Sequence, residues 1–263
     1  MFEIGRQDEY AWFVGAFYTL TGIDLSRYKR QQMERRLTTL RDKRGFATFA
    51  DYLSACRSNP GLLAELLDRM TINVSEFFRN RARWDMLRFE LWPEIARPGR
   101  SVRAWSAACS TGQEPYTLAF VLASRLPLSE FSILATDIDE GALTVARQGS
   151  YPATDLASIP DELRGALLDV RDDRGQVAAE LRARIEFRRH NLLADVFAQG
   201  FDVIVCRNVL IYFTDEAKEQ VYRKFATALR PGGILFVGST EQIFHAETFG
   251  LVQRRPFFYQ RLQ

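Results

Sequence analysis

The sequence predicts an α/β protein: a doubly wound parallel sheet behind an all-helical N-terminal stretch. Three observations predict it. Residues 1 to about 75 place their apolar residues at helical spacing, with no alternating run among them. After Arg97-Pro98-Gly99, short apolar runs alternate with helical patterns, the signature of strands joined by crossover helices. Residues 150–185 interrupt that alternation and read as an insertion.

The elements follow in order. "EYAWFVGAFYTLTG" is a helix that stops at Gly22. "SRYKRQQMERRLTTLRDKRG" is a second, with Ser26 as its N-cap, Gly45 as its stop, and Met33, Leu37 and Leu40 as a narrow buried stripe. "TFADYLSACRSNP" and "GLLAELLDRM" are two more, parted by Asn59-Pro60-Gly61. Beyond residue 100, "VRAWSAAC", "FSILATD", "ARIEFRRHN", "FDVIVCRN" and "GGILFVGS" read as strands. "EPYTLAFVLASRL", "DEGALTVARQG" and "DEAKEQVYRKFATALR" are the helices between them, and "LVQRRPFFYQRL" closes the sheet as a pair of strands.

Bulk composition removes several function classes. The 263 residues are 47% hydrophobic and 26% charged with a net charge of +2, a profile of neither a disordered chain nor a nucleic-acid binder. Cys56, Cys109 and Cys206 stand singly, beside only two histidines, His190 and His245, so no zinc site or other metal centre is expected. Lone cysteines suit a reducing cytoplasm. "MFEIGRQDEYAW" lacks the apolar run of a signal peptide, and no run approaches the ~20 apolar residues that span a membrane.

Ligands of such sheets bind at the carboxyl ends of the strands, so the residues after each strand are the candidates. After the first come Ser110, Thr111, Gly112, Gln113 and Glu114. A single glycine replaces the GxGxxG fingerprint, which argues against a dinucleotide pyrophosphate. Glu114 suits a ligand with a positive group, or else merely favours a helix dipole. The second strand ends in "ATDID", where Asp137 is placed to hold a ribose hydroxyl and Asp139 to cap the next helix. Asn191-Leu192 and Arg207-Asn208 close two later strands and are able to meet an adenine edge or a carboxylate. Together these describe a nucleoside pocket without a phosphate cradle, which S-adenosylmethionine fits.

The motifs "NVSEFFR", "WSAACSTGQEPYTLA", "ATDID", "HNLL", "CRNVLIYF" and "LRPGGILFVGSTE" closely resemble the CheR-type chemotaxis receptor methyltransferases over nearly the whole chain. Two polar departures stand out: Gln113 where the family commonly has Glu, and Ser75 where it has Thr. The resemblance implies a helical receptor-docking domain over 1–75. It implies a Rossmann-like class I methyltransferase domain over 76–263, with a small antiparallel β subdomain inserted within about 150–185. It implies transfer of a methyl group from S-adenosylmethionine to receptor glutamates, giving methyl esters and S-adenosylhomocysteine. Carried over residue by residue, cofactor contacts fall on Asn73, Ser75, Arg79, Glu114, Asp137, Asn191, Leu192, Arg207 and Asn208. Arg79 and Tyr212 match the pair placed near the transferred methyl, with Phe77 and Phe78 anchoring Arg79.

The residue types agree with that chemistry. A glutamate is already ionised at neutral pH and needs no general base to attack a sulfonium methyl. Alignment and desolvation of the carboxylate remain to be supplied, by an arginine and a tyrosine hydroxyl. A nucleic-acid methyltransferase is disfavoured, because "CRNVLIY" lacks the Asn/Asp-Pro-Pro-aromatic run of amino-group methylation. Cys206 reads as a packing residue rather than the nucleophile of carbon methylation. A non-catalytic module that binds S-adenosylmethionine or docks on receptors is the alternative from another class.

Two expectations concern the partner, the cytoplasmic helical region of a chemoreceptor. Lys29, Arg36 and Lys43 recur every seven residues, so on one helix they form a basic stripe suited to an acidic helical substrate. Family members that tether to a receptor C-terminal pentapeptide carry a glycine-flanked extension in the β subdomain. Here "LLDVRDDRGQVAAELRARIEF" has one glycine, Gly175, and a tight charged turn from Arg171 to Arg174. A monomer that works without the tether, without nucleic acid and without membrane insertion is therefore expected.

Overall fold

A computed structural model describes residues 8–71, 73–96 and 99–262. The first seven residues, read above for a leader, and Arg97-Pro98 of the expected junction lie outside the described residues. The chain divides into two compact units: Met1–Ile72 with Tyr212–Lys218, and Asn73–Ile211 with Glu219–Gln263.

The first unit contains helices α1 (Glu9–Thr21), α2 (Arg30–Lys43), α3 (Phe49–Ser58) and α4 (Pro60–Met70). Their starts follow from local chemistry. Asp8 accepts from the Ala11 N–H, Thr48 from Asp51, and Asn59 from Gly61 and Leu62 with Pro60 in the first helical turn. Phe13, Phe17, Leu37, Tyr52 and Leu66 are fully buried between them, as are Met33 and Leu40. Ser26 is not the N-cap of α2. The Asp24 carboxylate takes both the Ser26 N–H (3.0 Å) and its hydroxyl (2.6 Å), which holds Leu25–Arg27 in a 3₁₀ turn. The helix starts only at Arg30, with Lys29 at the N-cap and no side-chain cap.

Tyr212–Lys218 joins this unit although it lies far along the sequence. The Lys29 N–H donates to the Tyr212 carbonyl (2.8 Å) and the Thr214 N–H to the Arg27 carbonyl (2.9 Å). Between them the Tyr28 and Phe213 rings meet edge-on, 5.0 Å apart.

The second unit opens with a helical stretch on which the sequence reading is silent: α5 (Arg81–Met86), a π-helical turn (Leu87–Leu91) and α6 (Trp92–Ile95). The wide turn comes just before Pro93, which has no N–H to donate. A seven-stranded sheet then alternates with helices. Its strands are β1 (Val102–Ala107), β2 (Phe131–Asp137), β6 (Ile185–Arg189), β7 (Phe201–Cys206), β8 (Leu229–Val237), β9 (Leu251–Arg255) and β10 (Phe258–Arg261), in the order β6-β2-β1-β7-β8-β10-β9. The first five pair in parallel and β10 runs antiparallel to both neighbours. The linking helices include α7 (Gln113–Ala123), α8 (Glu140–Gln148) and α12 (Asp215–Ala228).

Strand β8 starts three residues before the expected "GGILFVGS" because Arg230 is pulled inward. Its guanidinium pairs with the buried Asp202 carboxylate and donates to the Ile95 carbonyl (2.8 Å). The insertion folds as expected into a small antiparallel sheet, β3 (Ser150–Pro152), β4 (Leu168–Arg171) and β5 (Arg174–Val177), in the order β3-β5-β4. Short helices α9 (Ala153–Leu156), α10 (Asp161–Arg164) and α11 (Ala179–Arg182) flank it.

Candidate active site

From β1 the chain moves outward through β2 to β6, then returns to the other side of β1 at β7. That reversal is where a doubly wound sheet opens a crevice at its carboxyl end. The loop after β1 has an unusual backbone there. Ala108 (φ 63°), Ser110 (φ 50°) and Gly112 (φ 98°) are left-handed, two of them without the freedom of glycine. Hydrogen bonds hold that strain: Cys109 N–H to the Thr136 carbonyl (2.9 Å), Gly112 N–H to the Cys109 carbonyl (3.0 Å), and Ser110 N–H to Asp137 Oδ2 (2.7 Å). Gly112 has no alternative, since a Cβ would strike the Tyr151 hydroxyl (2.7 Å) and Ala146 (2.8 Å).

Asp137 therefore does more than wait for a ribose. Its second oxygen accepts the Asp139 N–H (2.9 Å), so the carboxylate ties the β1 and β2 loops together. The side chain is buried, which raises its pKa, while these backbone donors pull the value back. Asp139 caps α8 through Gly141 (2.8 Å) and Ala142 (3.2 Å). Asn73 joins the same group, donating to Asp139 Oδ2 (2.7 Å) and accepting the Ser110 hydroxyl (3.0 Å). Ser75 is half-buried.

Glu114 lies in the first turn of α7, as the helix-dipole reading requires, but the dipole is not its main influence. It accepts the Ser106 hydroxyl from β1 (2.8 Å), and burial pushes its pKa up to about 7. Arg207 and Ser106 oppose that rise, Glu241 adds to it, and Arg79 opposes it more weakly. Arg207 is itself buried, which lowers its pKa. Its guanidinium lies over the Phe236 ring (4.7 Å) and the Trp84 ring (5.5 Å) and donates to the Arg79 carbonyl (2.8 Å). The Arg207 Nε is buried without a hydrogen-bond partner among the described residues.

Arg79 is half-buried and 3.6 Å from Glu76, after a Phe77-Phe78 pair that is fully buried. Phe78 is left-handed (φ 50°) and its N–H is held by the Thr117 hydroxyl (3.1 Å), which fixes where Arg79 begins. Asn191 closes a turn after β6, accepting the Leu193 N–H (2.9 Å), and Leu192 beside it is buried. Asn208 is left-handed (φ 62°), with its N–H on the Glu241 carboxylate (2.6 Å).

The fold brings Asn73, Asp137, Glu114, Arg79, Arg207 and Asn208 into one connected set of bonds and fields on the second unit. Ser106 and Glu241 belong to it as well and were missed. Ser106 sits inside a strand run, and Glu241 reads as a solvated loop charge.

The first unit carries a separate feature. A groove of about 720 Å³ is lined by Lys29, Arg36 and Lys43, together with Arg35, Arg69 and Tyr212. The missed cations are explicable: Arg35 looks like the outer face of α2, and Arg69 comes from α4. Lys29 belongs through the N-cap rather than through a helix turn. Burial lowers the Arg36 pKa, with Tyr212 opposing and Arg69 reinforcing.

Residues 73–258 match the family described as CheR methyltransferase, SAM binding domain. Residues 8–71 match its all-alpha domain. The chain belongs to the CheR methyltransferase family. Its Rossmann-like sheet is the class I methyltransferase fold, as expected. It is 41% identical over 254 residues to a chemotaxis protein methyltransferase of Listeria innocua, covering 96% of this chain and 97% of that one. It is 36% identical to chemotaxis protein methyltransferase 2 of Pseudomonas aeruginosa (87% and 84% covered). A further relative is the chemotaxis protein methyltransferase of Borreliella burgdorferi, at 33% (90% and 89% covered). No helix among the described residues is long and apolar enough to cross a membrane, and those residues hold no cluster of metal-binding side chains.

Proposed function

We propose that this protein transfers the methyl group of S-adenosylmethionine to glutamate side chains in the cytoplasmic helical region of chemoreceptors. The products are glutamate methyl esters and S-adenosylhomocysteine, and the setting is chemotactic adaptation in the cytoplasm. One observation carries the reading: at neighbouring strand ends the half-buried Glu114 carboxyl interacts with the buried Arg207, whose Nε has no hydrogen-bond partner among the described residues. The ammonium and carboxylate of an amino-acid end match that pair in sign. Asp137, Asn191, Leu192 and Asn208 are left for the nucleoside, with Asn73 and Ser75 bracing the entrance.

S-adenosylmethionine supplies an electrophilic methyl on a sulfonium. The substrate carboxylate attacks the methyl carbon, a C–O bond forms, and the S–CH₃ electron pair leaves on sulfur. No proton moves, so the chain needs no base. Arg79 and the Tyr212 hydroxyl orient the incoming carboxylate; too strong a grip would stabilise the ground state and slow the reaction. The basic groove receives the receptor. Its five cations and no lining carboxylate suit an acidic helix. The two-residue Asp172-Asp173 turn between β4 and β5 leaves no extension there and supports methylation without a pentapeptide tether; in this reading the protein acts as a monomer.

The deciding experiment is transfer of labelled methyl from S-adenosylmethionine to membranes containing chemoreceptors. Base-labile label on the receptor is the expected result. Cofactor binding without any transfer would leave a non-catalytic binding module, and base-stable label would exclude a glutamate ester.

A further inference from the structure

After β7 the chain makes a sharp turn whose first residue, Asn208, is in the left-handed region that non-glycine residues avoid (φ 62°). Three successive N–H groups, those of Asn208, Val209 and Leu210, converge on one carboxylate, Glu241. The Gly238 N–H is a fourth. Oε2 takes Asn208 (2.6 Å) and Gly238 (2.8 Å); Oε1 takes Val209 (2.9 Å) and Leu210 (2.7 Å). Glu241 is 4% exposed and forms no ion pair among the described residues; four backbone N–H groups, with the field of Arg207, offset its charge. Consecutive N–H groups aimed at one point form an anion nest. Here the nest is filled by the protein's own side chain, which comes from a separate turn more than 30 residues further along the chain; in that turn the Glu241 N–H bonds back to the Gly238 carbonyl (3.0 Å).

We propose that Glu241 is a positioning residue for the cofactor: it fixes the Asn208–Leu210 backbone so that the Arg207 and Asn208 side chains leave it in their binding directions. The inference rests on the assignment of Arg207 and Asn208 to the S-adenosylmethionine site. An ionised carboxylate buried without an ion pair is costly unless hydrogen bonds offset the loss of water. Among the described residues Glu241 has four hydrogen-bond donors, and all four lie in this turn or in its own. The packing is closed around it. A Cβ at Gly238 would collide with Glu241 Oε2 and with the Asn208 nitrogen at 2.9 Å. Each oxygen already holds two donors, so an amide at this position would turn an NH₂ group onto two N–H groups. Glutamine is therefore not a conservative replacement, and the requirement is for a carboxylate.

The test uses the full chain with Glu241→Gln and Glu241→Asp. Calorimetry with S-adenosylhomocysteine, amide hydrogen exchange without ligand, and steady-state kinetics against receptor membranes are the readouts. Unsatisfied buried donors predict a Glu241→Gln affinity loss of about tenfold or more, with a matching rise in cofactor KM. The receptor KM stays at its wild-type value, and the Val209 and Leu210 amides exchange faster while the protein still melts cooperatively. A folded Glu241→Gln with wild-type affinity overturns the proposal, whatever its melting temperature. So does unchanged exchange at those amides. If Glu241→Gln fails to fold, Glu241→Asp decides: it keeps the charge but is one methylene short, and a partial loss of affinity is expected. Unchanged affinity there overturns the proposal equally. Wild-type protein that binds no S-adenosylhomocysteine would instead refute the assignment of the cofactor site, and the exchange arm would still show whether Glu241 holds the turn.

Discussion

Lowering the pH should weaken cofactor binding through Glu114, and the size of the effect follows from its pKa. Burial raises this carboxyl to about 7, so in the ligand-free protein it is largely protonated at pH 5.5 and half ionised at pH 7. An ammonium group binds the ionised form, so the apparent Kd scales with one plus the ratio of protonated to ionised Glu114. That factor is about 30 at pH 5.5 and about 2 at pH 7, a change of about fifteenfold. The sign for stability is the reverse. A carboxyl raised above its ordinary value favours the fold while protonated, and that contribution is lost as pH rises through about 7. Bound ligand offsets the loss, so its effect on Tm should grow from pH 5.5 to pH 7. Calorimetric titration of S-adenosylhomocysteine across this range is the assay, with Glu114→Gln as the control. The variant should bind weakly, with its pH dependence much reduced. Asp137 and Glu241 are also raised by burial, so only the slope that disappears in Glu114→Gln belongs to Glu114. A flat wild-type profile, or the same slope in both proteins, refutes the reasoning.

Asp137→Ala removes a carboxylate that braces two loops and faces the proposed ribose, a loss of about 1.5–3 kcal/mol. Calorimetry should show S-adenosylhomocysteine affinity falling at least several-fold. Arg79→Ala should abolish methyl transfer with the fold retained, and Tyr212→Phe should lower turnover more than cofactor affinity; normal rates in both would remove them from the reaction centre. Reversing Lys29 and Arg36 to Glu should raise the receptor KM, with cofactor affinity as the unchanged control. Adding Arg69→Glu from the facing helix should raise it further. A receptor C-terminal pentapeptide titrated into the protein should give no heat, whereas micromolar binding would show that the β subdomain accepts a strand.

Legibility in the sequence tracks how local each determinant is. β2 was readable to the residue because "FSILATD" is a short apolar run with a polar stop, and the burial of Met33, Leu37 and Leu40 follows from helical period alone. The start of α2 was misread because an Asp two residues upstream captured the presumed cap. The early start of β8 depends on an arginine finding Asp202 from a different strand. The candidate site divides in the same way. Asp137 and Glu114 announce themselves by following strands. Ser106, Glu241 and Arg69 gain their roles only from partners distant in sequence, and a solitary glutamate in "GSTEQ" looks like any surface charge until four N–H groups surround it.

The helical unit is sewn from two separated pieces of chain, and this limits how it can be exchanged. A fragment cut at residue 72 would lose the partners of the Lys29 N–H and the Arg27 carbonyl, together with the ring that covers Tyr28. It would also lose Tyr212 from the wall of its own groove. Under the proposed docking role, transplanting receptor preference between relatives requires moving Tyr212–Lys218 along with the N-terminal helices. That heptad follows closely on the turn that Glu241 grips, so a graft that ignores it would join one parent's helices to the other parent's tyrosine. Changes on the two sides of that seam have to be selected as a pair, and recombination between them should be poorly tolerated.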